Sequence, residues 1–102
     1  MFEKERLNEY IYEYIIVESL VQDGRSIEQM PSYFMAGYNI KTTPKELEEP
    51  LKTLYAAKLV KIDWPFEYEG IAVLNEEIIK KCWFGLTSLG EEIYEKTEPL
   101  KI

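Results

Sequence analysis

Three pairs of adjacent glutamates, Glu48/Glu49, Glu76/Glu77 and Glu91/Glu92, are the first residues in this 102-residue chain whose types could carry acid–base chemistry. That chemistry needs two carboxylates turned toward one substrate. Neighbours on a helix point about 100° apart, and each pair lies in a stretch that reads as helix, so the spacing supports surface solvation instead. Glu67 and Glu69 would share one strand face and offer two ligands to a divalent cation, too few for a dedicated site. The absence of histidine removes the imidazole base, the imidazole metal ligand and the histidine-dependent serine and cysteine triads. No glycine-rich phosphate loop is present. The single cysteine, Cys82, has no partner for an intrachain disulfide or a thiolate zinc site and reads as a small apolar residue in a strand, which fits a reducing cytosol. No enzyme, catalytic residue, metal or cofactor is expected.

The charged residues are unevenly spread. The formal charge is -7, which argues against strong nonspecific binding to a polyanion, since such affinity comes from lysines and arginines that displace counterions. Residues 1–23 carry -4, residues 62–79 carry -5, and 24–37 and 80–102 balance. Only residues 38–61 are positive, at +2. With 46% hydrophobic and 14% aromatic residues, the chain is expected to fold as one globular domain over 1–102. Its first residues are charged and no apolar run approaches membrane length, so a soluble, cytoplasmic protein without a membrane partner is expected.

The positive segment opens with a helix start. Thr43 and Glu46 have the spacing of a capping box and Pro44 takes the first helical position. Leu47, Leu51, Leu54, Tyr55 and Lys58 then share one face, and Leu59 to Trp64 turns to strand alternation. Pro50 removes the bond to the Glu46 carbonyl, predicting a kink or two short helices meeting at Glu49. Upstream, Glu3 to Gln22 reads as one helix ending near Gly24. It carries one apolar stripe of Leu7, Tyr10, Ile11, Tyr14, Val17 and Val21 and a second of Tyr12, Ile16 and Leu20, nearly opposite. The second stripe is either covered by the C-terminal segment or forms a dimer or partner interface, and assembly is the expectation. Ser26 and Gln29 form another capping box, for a helix to about Ala36, followed by a turn at Gly37-Tyr38-Asn39. Downstream, Trp64 to Gly70 reads as a hairpin turn, Ile71 to Leu74 as a short extra strand, Asn75 as the cap of one helical turn through Lys80, and Cys82 to Leu86 as the return strand. Thr87 caps a last helix with Glu91 and Glu92 in its first turn.

Helix, helix-turn-helix, β-ribbon and helix, in that order, describe an α+β winged helix-turn-helix with a three-helix core, a β-hairpin wing and a C-terminal helix. The aromatic strand running into Leu86-Thr87-x-x-Gly90 and an acidic amphipathic helix resembles the end of the wing in PadR- and MarR-type regulators. Leu54-Tyr55-Ala56-Ala57-Lys58-Leu59-Val60 resembles their junction of recognition helix and wing. Lys58 stands where that pattern usually has glycine, and Pro50 and the acidic wing also depart from it. The resemblance implies a homodimeric transcriptional regulator that binds double-stranded DNA. Lys45, Glu49, Lys52 and Thr53 would then face base edges, with Tyr38, Lys41, Thr42 and Thr43 near phosphates. The bland counterpart is that Lys45–Glu49 and Glu48–Lys52 are solvated ion pairs. The alternative function is an acidic protein-interaction module, an adaptor or DNA mimic, that docks through the second face of the first helix and the wing aromatics Trp64, Phe66 and Tyr68.

Overall fold

A computed structural model describes residues 1–100. A short 3-10 helix, Lys4–Glu9, precedes α1 (Ile11–Ser19), β1 (Arg25–Ser26), α2 (Met30–Tyr38), α3 (Pro44–Ala56), β2 (Val60–Trp64), α4 (Glu76–Ile79), β3 (Trp83–Leu86) and α5 (Ser88–Lys96). The fold is thus α+β, with one antiparallel sheet in the order β1-β3-β2.

The expected first helix is broken. Tyr10 adopts an extended backbone between the 3-10 segment and α1. Its hydroxyl donates to the Met1 carbonyl at 3.2 Å and accepts from the Glu3 amide at 3.1 Å, and its ring packs on Phe2 with centroids 4.9 Å apart. That loop-back carries Leu7 into the core, fully buried. At the other end, the Ser19 hydroxyl bonds back to the Ile16 carbonyl at 2.7 Å and the Ser19 carbonyl accepts from Arg25 Nε at 2.7 Å, so the helix stops short of Gly24. The break and early end change which residues face inward: Ile11 and Val21 of the first stripe are exposed, whereas Ile15, Ile16 and Val17 are all fully buried. Three consecutive buried residues mean that the middle of the helix is covered all round, here by the 3-10 helix, α2, α3 and α5.

The starts of α2, α3 and α5 follow the caps. Ser26 and Gln29 make the reciprocal box, in a 3-10 turn (Ile27–Gln29) leading into α2. Thr43 Oγ1 accepts from the Glu46 amide at 3.2 Å, and Thr87 Oγ1 from the Gly90 amide at 2.9 Å. α3 runs through Pro50 as one helix rather than two. The lost bond and ring crowding cost about 3 kcal/mol, but Leu47, Leu51 and Leu54, fully buried on both sides of the proline, return about 2 kcal/mol each by leaving water.

The helix-to-strand junction is capped by a left-handed Lys58, φ 65°. The Leu59 amide reaches back to the Leu54 carbonyl and the Lys58 amide to the Tyr55 carbonyl, both at 3.0 Å, which is the bonding of a Schellman end with lysine in the glycine position. α5 locks onto this joint. Thr87 Oγ1 donates to the Lys58 carbonyl at 2.6 Å, the Thr87 amide donates to the Leu59 carbonyl at 3.1 Å, and a Cβ on Gly90 would stand 2.2 Å from that same Leu59 oxygen.

β2 and β3 pair in the expected ribbon, with Val60 opposite Leu86 and Ile62 opposite Phe84, and a bulge before Trp64 meets Trp83. Val60, Ile62, Phe84 and Leu86 are the buried inner face. The third strand is only two residues, Arg25 opposite Phe84 and Ser26 opposite Trp83. Ile71 to Leu74 forms no strand; Leu74 and Ile79 are instead buried, and the Ile71 carbonyl accepts from the Tyr55 hydroxyl at 2.6 Å. Asn75 caps the single turn of α4 by accepting from the Ile78 amide at 3.0 Å. No helix of the described residues is long and apolar enough to cross a membrane.

Candidate functional site

Three surfaces carry polar or aromatic groups that could meet a ligand: the open side of α3, a tyrosine cluster around Glu18, and the outer end of the hairpin. On α3, Lys45 and Glu49 are largely exposed and Lys52 is less so. Both lysines already face carboxylates. Lys45 Nζ lies 3.7 Å from Glu76 of α4, and Lys52 Nζ lies 3.6 Å from Glu49. Neither expected i,i+4 pair forms among the described residues, because the folded-back segment 65–79 brings Glu76 within reach and because Glu48 turns inward and is 6% exposed. Thr53 is half-buried and Lys41 is exposed. Thr43 is occupied as the cap of α3, and Thr42 Oγ1 is buried without a hydrogen-bond partner. Tyr38, expected near phosphate, points elsewhere: its hydroxyl donates to Glu18 at 2.5 Å. The structure therefore brings Lys45, Glu49 and Lys52 together on one side of α3, and separates Tyr38 from them.

Glu18 is a meeting point that its sequence position hides. Tyr33 and Tyr38 donate to its Oε1, at 3.1 and 2.5 Å, and Tyr94 donates to Oε2 at 2.9 Å. The Arg25 guanidinium sits 5.4 Å from the centre of the Tyr33 ring, a cation–π distance. Burial raises the Tyr33, Tyr38 and Tyr94 hydroxyls above the ordinary tyrosine value, and the neighbouring Glu18 carboxylate adds to the rise. Phenols held neutral around a carboxylate with three of its roughly four lone-pair sites filled make a tie between α1, α2 and α5. As arranged, the cluster offers neither a free base nor a nucleophile. The only local signal was one acid, Glu18, inside the apolar run Ile15 to Val21.

The hairpin end displays Phe66 at 81%, Trp64 at 57% and Trp83 at 41% exposure. Tyr68 packs against the core instead. Trp64 and Trp83 pair across the bulge and, with Gly24 and Asp63, line an open groove of about 540 Å³. Glu67 lies in a 3-10 turn (Phe66–Tyr68) that Glu69 ends, so the two carboxylates do not share a strand face. Among the described residues, no group of three or more acidic or thiol side chains is placed to hold a metal ion. Cys82 is buried just ahead of β3, where burial, then the charge of Glu67, push its thiol up.

Of the three expected interface residues on α1, two are buried within the single chain. Ile16 is fully buried and Leu20 4% exposed inside a single chain, while Tyr12 stacks on Phe34 of α2 with ring centroids 5.6 Å apart. Tyr12 keeps 37% of its surface exposed, so α2 covers this side of α1 only in part. Compared with protein-family models, curated proteins and solved structures, the chain matches none.

Proposed function

We propose that this chain is an acidic winged-helix module that binds another protein through the outer end of its hairpin. Three helices followed by an antiparallel ribbon, with a two-residue strand between the first two helices completing the sheet, fit the winged helix-turn-helix arrangement. The observation that carries the functional reading is the cluster of Trp64, Phe66 and Trp83, three large aromatics left in water although the core had room for Phe34 and Phe84. Exposed aromatics of this size are what interface anchors are made of.

The rival reading places α3 in a major groove as part of a dimeric regulator. It requires Lys45 and Lys52 for base edges, yet Glu76 and Glu49 stand against them. Segment 62–79, at -5, would meet phosphate with repulsion. Fluorescence anisotropy with labelled random duplex at low salt separates the two. No binding at micromolar protein is expected. Binding that weakens steeply with salt and vanishes in Lys45→Glu/Lys52→Glu would replace this reading with DNA recognition. Conversely, a Trp64→Ser/Phe66→Ser variant is expected to keep its unfolding temperature and lose a partner that the native chain captures and that, once purified, binds it directly.

A further inference from the structure

The open groove lined by the two tryptophans also holds the Asp63 carboxylate. Gly24 and Gly85 both have ordinary backbone angles, so neither needs to be glycine for its conformation. Space explains them better. A Cβ on Gly85 would stand 2.3 Å from Asp63 Oδ2, whereas one on Gly24 would meet the Phe84 carbonyl oxygen first, at 3.0 Å, and Asp63 Oδ2 at 3.2 Å. The missing side chain at Gly85 leaves room for the Asp63 carboxylate, which lines the open groove together with Trp64 and Trp83. Its one ionic partner among the described residues is Lys61, at 3.7 Å from Oδ1, with both side chains about half exposed.

Two exposed indoles beside a carboxylate on one open surface are groups that recognise an organic cation. An open groove suits a flat cation better than a spherical one, because a methylated ammonium is held by walls on all sides whereas a guanidinium stacks on one face and forks onto the carboxylate with its edge. Asp63 and Glu67, the acids next to Trp64 and Phe66 in sequence, would draw a basic segment to this end of the molecule. We propose that this groove takes an arginine side chain of the protein partner, its guanidinium stacked on Trp64 or Trp83 and paired with Asp63. This rests on the reading that the hairpin end binds a protein. Lys61 is the internal competitor that the arginine displaces.

The chain's only two tryptophans both line the groove, so their indole N–H signals in a nitrogen–proton correlation spectrum report this site alone. The full chain is titrated with acetyl-Gly-Arg-Gly-amide, with the same peptide carrying norleucine or lysine in place of arginine, and with free arginine. Both indole signals should move and saturate at millimolar arginine peptide, stay put with norleucine, and move less with lysine. Asp63→Asn should weaken the arginine peptide about tenfold, and Lys61→Ala should tighten it by freeing the carboxylate. Gly85→Ala, which pushes Asp63 off its seat, should weaken binding as Asp63→Asn does and serves as the second variant should Asp63→Asn disturb the fold. Unmoved indole signals overturn the proposal, as does an equal response to norleucine or lysine, an unaffected Asp63→Asn, or tighter binding of free arginine than of peptide. A partner that still needs Trp64 and Phe66 but meets the groove without arginine would remove this inference and leave the protein-binding reading standing.

Discussion

Replacing Glu18 by alanine removes the one acceptor that Tyr33, Tyr38 and Tyr94 share. A hydrogen bond to a charged group contributes about 1.5–3 kcal/mol net when its partner is left dry. These tyrosines are half-buried, so the freed hydroxyls can reach water, and the lower figure of about 1 kcal/mol per bond is the better basis. Three bonds then give about 3 kcal/mol, a large share of the roughly 5–15 kcal/mol that holds a domain of this size folded. In urea, with a slope of about 1.5 kcal/mol/M, the midpoint should fall by about 2 M at unchanged slope. Glu18→Gln keeps an oxygen for Tyr33 and Tyr38 and can offer its amide to the Tyr94 oxygen, so about 1 kcal/mol is expected. Double-mutant cycles give the sharper reading: Tyr94→Phe should cost less in the Glu18→Ala background than in the native chain. A loss below about 0.5 kcal/mol for Glu18→Ala, or additive cycles with all three tyrosines, would refute the idea that this carboxylate ties α1, α2 and α5 together.

Lys58→Gly relieves a left-handed lysine, and chemical denaturation should show a gain of about 0.5–1 kcal/mol after the extra freedom of glycine in the unfolded chain is subtracted; a loss would mean the lysine side chain contributes contacts that outweigh the strain. Gly90→Ala sets helix propensity, about 1 kcal/mol in its favour, against a Cβ 2.2 Å from the Leu59 oxygen. Overpacking against backbone should win, for a net loss of about 2 kcal/mol by thermal or urea unfolding, and a more stable variant would show that α5 can shift without cost. Because folding raises the titration of Tyr33, Tyr38 and Tyr94, their contribution is intact below the unfolded tyrosine value of about 10 and is lost as pH climbs past it. Urea midpoints measured from neutral to strongly alkaline pH should decline above about 10, and less steeply in Glu18→Gln.

Local signals in the sequence located local structure well. Thr43, Asn75 and Thr87 begin α3, α4 and α5 because a cap is chosen by residues within one turn of it, and the alternation after Val60 fixed the inner face of the ribbon. Features made by distant parts of the chain were not legible. β1 is two residues long and exists because β3 is beside it, and α1 breaks at Tyr10 because Met1, Glu3 and Phe2 fold back onto that side chain. The two apolar sides of α1 were visible, but whether α2 or a second chain covers the second side depends on packing that periodicity does not encode. Of the expected site residues, Lys45 is largely exposed on α3 and Lys52 is partly covered. Their partners were not legible, because Glu76 arrives from a segment that the spacing alone would have sent outward as a wing. Trp64 and Phe66 were legible as large aromatics, but that they stand outside the core is a property of the finished fold. Glu18 drew no attention because its partners stand 15, 20 and 76 positions away.

The rod at the centre of the molecule has a further consequence. With α2, α3 and α5 packed on it and Ile15, Ile16 and Val17 sealed from solvent, the middle of α1 is shielded although its first turn at Ile11 and Tyr12 is exposed, so the amide protons of those three residues should trade with deuterium only when the entire molecule opens. The exchange rates at those three positions would therefore read out the global unfolding free energy of the native chain directly, without any denaturant.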